Sequence, residues 1–303
     1  MQFSVLQTEC FQQLGLDSTD ATNVSNVKRW ANIAQQDIAM RYPWPFLRTR
    51  ESAVTVVDKT DGTVAISAGG TTVTGSSTSF AAADVGKYIQ FDGSNDWYRI
   101  SARTSTTDIT IDTAYAGTSA LSGATYTIRK FFYSLSSSVD RILDIKNWET
   151  AIRIVQTDYG TLDWISGANM AQGATSAYAA YGIDSSGNVQ LTFYPFPSDA
   201  RIFEVKYLKR LSDLSADADL SVIPVKWHHV IVEGALVYGF RFMRKFDIAT
   251  AWAQTYLGHL EEMKQNCKQS LDEVPVLRAI DQFRTSDWIR LPGEFPVLGS
   301  SGS

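Results

Sequence analysis

The sequence predicts an α+β fold, with helices near both ends of the chain and a β-rich middle. Apolar residues recur at steps of three and four in residues 22–41 and again in residues 224–267, which is typical of helices that bury one face. Residues 52–208 show short alternating apolar runs between Gly, Ser, Asn and Pro clusters, which is typical of antiparallel strands. We therefore expect a helical core of N-terminal helices and a C-terminal helical hairpin, joined to an antiparallel β region.

The N-terminal segment is expected to form two helices followed by a turn. Thr22 or Asn23 can cap the second helix, because a short polar side chain accepts hydrogen bonds from the free N–H groups of the first turn. Pro43 and Pro45 end this helix, since proline lacks an N–H group and restricts the residue before it. The apolar face of the helix consists of Val24, Val27, Ala31, Ala34 and Ile38.

Residues 58–130 are predicted to form an inserted β module, either a small barrel or a sandwich. Short apolar runs alternate there with turn signals rich in Gly, Ser and Asn, as at residues 92–95 and 122–123. The apolar runs are Val64 and Ile66, Val73, Tyr88–Phe91, Trp97–Ile100, Ile109–Ile111 and Tyr126–Ile128.

A second β-rich stretch, residues 131–208, is predicted to contain a hairpin. Val189–Tyr194 and Ile202–Tyr207 both alternate between apolar and polar residues, and residues 197–199 could form the turn between them.

The chain from Pro224 onwards is predicted to form a helical hairpin. Proline suits the first turn of a helix, and Asp247 can cap the second helix. The apolar stripe of the first helix is Trp227, Ile231, Ala235, Tyr238 and Phe242, and that of the second is Ile248, Trp252, Tyr256, Leu260, Met263 and Cys267.

The C-terminal residues 274–303 are expected to form an extended arm, because they contain three prolines and end in Gly and Ser. Several large apolar side chains in the arm would be costly to leave exposed, which predicts a partner surface. The chain is thus divided into a main domain (residues 1–57 and 131–273), the inserted module (58–130) and the arm. The apolar side chains of the arm are Phe283, Trp288, Ile289, Leu291 and Phe295.

The composition favours a protein that assembles with other proteins. Charged residues make up only 19%, whereas aromatic residues reach 12%, and aromatic rings are enriched where protein surfaces meet. The formal net charge of -5 argues against stable binding of nucleic acid, because such binding requires an excess of lysine and arginine. The start lacks a signal peptide pattern and no apolar run is long enough for a membrane span, so we expect a soluble protein made in the cytoplasm.

The best candidate pair for a metal ion is His229 with Glu233, which lie four residues apart on one helix face. The adjacent His228 points about 100° away on a helix. His259 is the only other histidine, and no HExxH spacing occurs. These histidines are therefore predicted to lie on a helix surface or in an interface, without a metal or other cofactor.

Catalytic patterns are weak. The sequence contains no GxSxG elbow and no phosphate-binding loop that continues into Gly-Lys-Ser/Thr, and its carboxylate pairs flank turns where aspartate caps the backbone. We therefore expect that the protein is not an enzyme. The carboxylate pairs are Asp92 with Asp96, Asp108 with Asp112, and Asp140 with Asp144.

Interfaces with other proteins are expected on the helical hairpin and on the arm. Basic residues at the end of the first hairpin helix have phenylalanines between them, which suits either a protein interface or a solvated helix face. The candidate residues for contacts with a partner protein or a neighbouring subunit are Trp227, His228, Arg241, Arg244, Lys245, Phe283, Trp288, Ile289, Leu291 and Phe295.

Four segments, taken in their order along the chain, resemble a known family. They are residues 37–47 (DIAMRYPWPFL), 138–145 (SVDRILDI), 190–197 (QLTFYPFP) followed by 205–207, and 220–224 (LSVIP) leading into the helical hairpin. Their order and spacing are similar to those of the head-to-tail adaptors of tailed bacteriophages. Separately, residues 84–100 resemble small β modules of phage tail and neck proteins, which the plainest adaptors lack.

The resemblance implies a structural protein of the virion neck that is made in the bacterial cytoplasm. Such adaptors form a dodecameric ring clamped to the portal protein, with helices lining or bracing a DNA channel and β parts facing the tail. The implied partners are further copies of the chain, the portal protein, a downstream nozzle or tube protein of the tail, and genomic DNA that passes without specific binding. No membrane contact is implied.

Two other functions stay open at this point. The first is a binding module of a tail fibre or baseplate, in which Trp97, Tyr98 and Tyr115 would be presented to a glycan or a protein. The second is a hydrolase that uses one of the carboxylate pairs.

Overall fold

The computed structural model describes residues 2–166 and 171–272. It contains helices and mainly antiparallel sheets, one of them a nearly closed barrel-like sheet, which confirms the α+β class. Two short strand pairs run parallel. The chain divides into two compact units, residues 1–45 with 213–303 and residues 46–212. The arm and its five apolar residues lie outside the described residues, and the three-part division of the chain stays a prediction.

Helices dominate the two ends of the described part, and strands dominate its middle. The α-helices are α1 (Phe3–Leu14), α2 (Ala21–Arg41), α3 (Tyr159–Ser166), α4 (His228–Phe242) and α5 (Phe246–Asp272), with short 3-10 helices at Pro45–Leu47, Ala82–Asp84 and Val225–Trp227. The strands are β1 (Arg48–Val54), β2 (Thr63–Ile66), β3 (Thr72–Ser76), β4 (Tyr88–Phe91), β5 (Trp97–Arg103), β6 (Asp108–Ile111), β7 (Leu121–Ala124), β8 (Tyr126–Arg129), β9 (Tyr133–Ser134), β10 (Val139–Asn147), β11 (Arg153–Gln156), β12 (Gln172–Gly173), β13 (Ala177–Ile183), β14 (Val189–Tyr194), β15 (Phe196–Pro197) and β16 (Ile202–Lys209).

In the helical unit, α4 packs against α1, α2 and α5. Two glycines of α4 permit this close packing. A β-carbon on Gly234 would lie 2.8 Å from the Cβ atom of Ala34 on α2, and one on Gly239 would lie 2.8 Å from a methyl group of Leu14 on α1. Since real β-carbons do not approach other atoms so closely, a larger residue at either position would push neighbouring helices apart.

Two predicted helix caps differ from the structure. The cap of α2 is Asp20, whose carboxylate accepts the backbone N–H groups of Thr22 and Asn23 at 2.7 and 3.3 Å. Aspartate meets both donors at once, so the helix begins earlier than the apolar stripe suggests. Similarly, α5 begins at Phe246, so Asp247 lies inside its first turn, where an acidic side chain still favours the positive end of the helix.

The first sheet of the β unit has the strand order β1-β16-β10-β11-β13-β14-β9. The predicted hairpin between Val189–Tyr194 and Ile202–Tyr207 was wrong, because β14 pairs with β13 and β9 whereas β16 pairs with β1 and β10. Both edges of each strand are therefore occupied by partners from elsewhere in the chain. The pairing of β14 with β13 is a local hairpin across residues 184–188, whereas the partners of β16 lie too far away in the chain for a turn signal to reveal them.

This first sheet is strongly curved. Four strand steps separate β16 from β14, which would span about 19 Å in a flat sheet. Nevertheless, the rings of Phe193 on β14 and Phe203 on β16 stack with centroids 4.7 Å apart, and both side chains are fully buried. The inner face of the sheet therefore folds around these rings to form one core.

The second sheet is nearly closed, with the order β7-β2-β3-β6-β5-β4-β8. Only Thr125 separates the two end strands β7 and β8 along the chain, so the ends of the sheet lie close together. The sequence reasoning took residues 122–123 as a turn, but Gly123, with a φ of +69°, lies within strand β7. The buried core agrees with the predicted apolar runs and includes Val64, Ile66, Val73, Ile89, Phe91, Ile100, Ile109, Ile111, Tyr126 and Ile128.

The chain leaves the first sheet after β1 and returns to it at β9, and the barrel-like sheet lies between these strands. The two ends of the barrel segment are tied together. Lys59 and Ile128 exchange backbone hydrogen bonds of 3.0 and 2.8 Å, and the guanidinium group of Arg129 contacts the carboxylate of Asp58 at 2.7 Å. The segment therefore begins and ends at one point of the surrounding structure.

Candidate functional site

Two of the predicted interface residues are buried. Trp227 is 6% exposed and His228 is 1% exposed, and Nε2 of His228 donates a hydrogen bond of 2.7 Å to the carbonyl oxygen of Ile223. Burial holds the pKa of His228 below its usual value, which favours the neutral ring. Both side chains pack within the helical unit, so neither belongs to the interface proposed below.

The three other described candidates come together where α4 meets α5. Arg241, Arg244 and Lys245 are exposed, and no acidic group among residues 2–166 and 171–272 forms an ion pair with them. Phe242 and Phe246 beside them are 66% and 63% exposed. We call these five residues the basic turn, which offers positive charge and aromatic surface to a partner.

Sequence reasoning missed a second exposed surface, on the hairpin formed by β10 and β11. Trp148, Ile152 and Val155 are 55%, 63% and 68% exposed. Asn147 shapes the connection, because its side-chain oxygen accepts the backbone N–H group of Glu149 at 2.9 Å. A tryptophan directly after a turn-forming asparagine was the available signal. We call Trp148, Ile152 and Val155 the apolar hairpin.

Two of the three aromatic residues of the glycan-binding alternative are buried, and the third is half-buried. Tyr98 and Tyr115 are 5% and 7% exposed inside the barrel-like sheet, and the Tyr98 hydroxyl accepts the N–H group of Ala116 at 3.0 Å. Trp97 packs edge-on against Phe131 with ring centroids 5.0 Å apart. Tyr98 and Tyr115 belong to a core, so the expectation that they are presented to a ligand was wrong, whereas that for Trp97 stays a prediction.

The acidic residues of the hydrolase alternative take part in turns and ion pairs. Asp108 accepts hydrogen bonds from the hydroxyls of Ser105 and Thr107 at 2.6 and 2.9 Å, which hold its pKa below the usual range. Asp92 accepts the hydroxyl of Thr125 at 3.1 Å. These contacts match the expected role of aspartate in turns.

His229 and Glu233 lie one turn apart on α4, as predicted, and α5 adds His259 beside them. Nδ1 of His259 lies 2.9 Å from each carboxylate oxygen of Glu233. The imidazole rings of His229 and His259 are 5.1 Å apart and nearly perpendicular. One ligand atom from each of the three side chains lies within 4.8 Å of the others, so together they could hold a metal ion. The position of His259 depends on the pairing of α4 with α5, which its sequence separation of 26 residues conceals.

Among the described residues, no helix is both long and apolar enough to cross a membrane.

Comparison with known protein families shows to which family the chain belongs. A sequence model of the SU10 adaptor protein family matches residues 92–279, more than half of the 303 residues. The match begins inside the barrel-like sheet and includes three of the four segments that carried the resemblance, while residues 37–47 lie outside it. No curated protein matches the chain. The chain therefore belongs to the SU10 adaptor protein family and is a structural adaptor of a bacteriophage particle.

Proposed function

We propose that the protein forms a ring of identical copies beneath the portal protein, links the capsid to the tail, and surrounds the channel through which DNA passes. Membership of the adaptor family supports the general role. The observation that carries the ring is the apolar hairpin, whose three large side chains are each more than half exposed. Large exposed apolar side chains on one β-hairpin are typical of a surface that another protein covers.

Closing a ring requires two different surfaces on each copy, one of which meets the other on the next copy. We assign the apolar hairpin to this contact between copies, and a dodecamer is the number that the resemblance implies. The basic turn is then available for the portal protein, where an acidic surface would complement its charge. The C-terminal arm, residues 274–303, stays a further candidate for contacts with the portal.

We propose that DNA passes through the ring without specific binding and that the protein catalyses no reaction. The net charge of -5 supports a channel past which DNA slides, since a tight grip on phosphates needs an excess of lysine and arginine. The nozzle or tube protein of the tail is the proposed partner on the other side of the ring. No catalytic step is assigned to the protein.

The double variant Ile152→Asp/Val155→Asp is expected to remain a folded monomer that does not form rings. Each apolar side chain contributes about 1.5 kcal/mol or more when it is buried, so losing both weakens each contact by about 100-fold or more. Electron microscopy and light scattering, with and without purified portal protein, measure ring formation, and circular dichroism checks the fold. The matched control is Met40→Asp on α2, where a 76% exposed side chain receives the same charge. Normal rings from the double variant would contradict the assignment of this surface.

The double variant Arg244→Glu/Lys245→Glu is expected to form rings but to bind the portal at least about tenfold more weakly at low salt, because it replaces attraction by repulsion. Surface plasmon resonance at several salt concentrations measures this loss. Lys209→Glu/Arg210→Glu is the matched control, since it reverses another adjacent pair of exposed basic residues. Equal portal affinity for both double variants would remove the basic turn from the proposed portal contact.

A further inference from the structure

We propose that His229, Glu233 and His259 bind a divalent transition metal ion, with Zn²⁺ as the best candidate. Two imidazoles and one carboxylate form a ligand set that zinc accepts, and sites of three protein ligands with one further position are common for this ion. The sequence reasoning expected no metal here because it found only one face of α4 to supply ligands. In the structure, His259 of α5 lies beside His229 and Glu233 and adds a third ligand.

The distances between the ligand atoms of His229, Glu233 and His259 are close to those of a tetrahedral zinc site, so only small side-chain movements are needed. Bonds of about 2.0–2.1 Å in a tetrahedral zinc site place the ligand atoms about 3.3 Å apart. Nδ1 of His259 and the Glu233 oxygens are already 2.9 Å apart, and the largest separation within the group is no more than 4.8 Å. We expect rotation of the exposed His229 side chain, whose ring meets that of His259 nearly at a right angle, to close the remaining distance.

The burial of Glu233 supports a cation at this position. Its side chain is 11% exposed, and a carboxylate largely removed from water requires a positive partner. In the described part of the chain, the Glu233 carboxylate contacts the ring of His259 and forms no ion pair with a lysine or an arginine. A divalent ion bound by both side chains supplies that charge.

The site is also open to solvent on one side. A surface cleft of about 220 Å³ is lined by His229 and Glu233 together with Glu9, Gln12 and Gln13 of α1. Two of the three proposed ligands therefore line an open cleft, through which a metal ion can reach them without unfolding of the helices. Because the ligands come from both helices, the bound ion ties α4 to α5 and stabilises their hairpin.

The test uses the full chain without a polyhistidine tag, stripped of metal with a chelator and then titrated with Zn²⁺ by calorimetry. We expect one ion per chain and a rise of the unfolding temperature with zinc concentration. Cobalt substitution should give the visible absorption bands of a tetrahedral Co²⁺ site, a readout that does not depend on stability.

Three single variants test the ligands: His229→Gln, Glu233→Gln and His259→Gln. We expect each to bind Zn²⁺ at least about 100-fold more weakly, since even the loss of a group that only supports a ligand weakens metal sites by about 10–100-fold. Glu262→Gln is the matched control, because it makes the same change at an exposed position of α5. Absence of stoichiometric zinc, or unchanged affinity in all three variants, would overturn the proposal and leave Glu233 and His259 as a hydrogen-bonded pair.

Discussion

Replacing Phe193 by alanine is expected to lower the free energy of unfolding of the β unit by about 4 kcal/mol, because it removes a fully buried aromatic ring and leaves a cavity. The ring stacks on Phe203 and also meets the edge of Tyr133 at 5.5 Å. These contacts hold the inner faces of distant strands together, so the surrounding sheet has little freedom to collapse into the space.

Urea unfolding, followed by tyrosine and tryptophan fluorescence, measures this loss. Phe246→Ala makes the same change at a side chain that is 63% exposed, and should alter stability by no more than about 0.5 kcal/mol. A loss below about 1.5 kcal/mol for Phe193→Ala would show that the curved sheet does not depend on this ring.

Replacing Asp84 by asparagine is expected to destabilise the barrel-like sheet by about 3 kcal/mol. The change removes the anion that pairs with the partly buried Lys87 and the nearer of the two carboxylates beside the partly buried Lys59. The Asp84 carboxylate lies 2.7 Å from Nζ of Lys87 and 3.1 Å from Nζ of Lys59, and it accepts the backbone N–H group of Ala81 at 2.9 Å. The residue itself is only 3% exposed. Asparagine keeps the shape of the side chain but not its charge.

The same carboxylate should make the wild-type protein sensitive to acid. Burial by itself acts to raise the pKa of Asp84, but Lys87, the Ala81 N–H group and Lys59 together hold it below its usual value of 3.8. Because the pKa is lower in the folded than in the unfolded state, this stabilisation is present at neutral pH and is lost as the pH falls below about 4. Urea unfolding at pH 7 and pH 3 should show a large difference between wild type and Asp84→Asn at pH 7 and a smaller one at pH 3. The exposed Asp96→Asn serves as the control, and a pH-independent difference would contradict the electrostatic explanation.

The sequence predicted those parts of the fold that depend on local patterns. The short apolar runs correctly placed most strands of the barrel-like sheet, since each run buries one face within a few residues. The pairing of β16 could not be predicted in this way, because both of its neighbours lie far away in the chain. The true hairpin partner of β14 is β13, which precedes it across the turn at residues 184–188. Helix α3 was missed for a similar reason, since eight residues within a β-rich stretch carry too little periodicity.

In the candidate sites, too, the sequence predicted what depends on local patterns and missed what depends on contacts between distant segments. Periodicity correctly placed Trp227 on a buried face, although Trp227 was also a candidate interface residue. Its 6% exposure in the structure separates these two roles. His229 and Glu233 were recognisable as a pair because four residues span one helical turn. His259 joins them through packing between two helices, and Trp148 becomes exposed through the path of a turn. Neither arrangement leaves a periodic signal in the sequence.

The joined ends of the barrel segment have a consequence for how this adaptor can vary. The contact between Asp58 and Arg129 fixes the distance between the two ends of the barrel segment. The first sheet is therefore joined to these ends in the same way whatever lies between them. Lengthening a loop whose ends are already pinned adds only about 0.6 kcal/mol for each doubling of its length. We therefore expect that the segment between Asp58 and Arg129 can be replaced by another domain or by a short turn while the first sheet keeps its strand pairing.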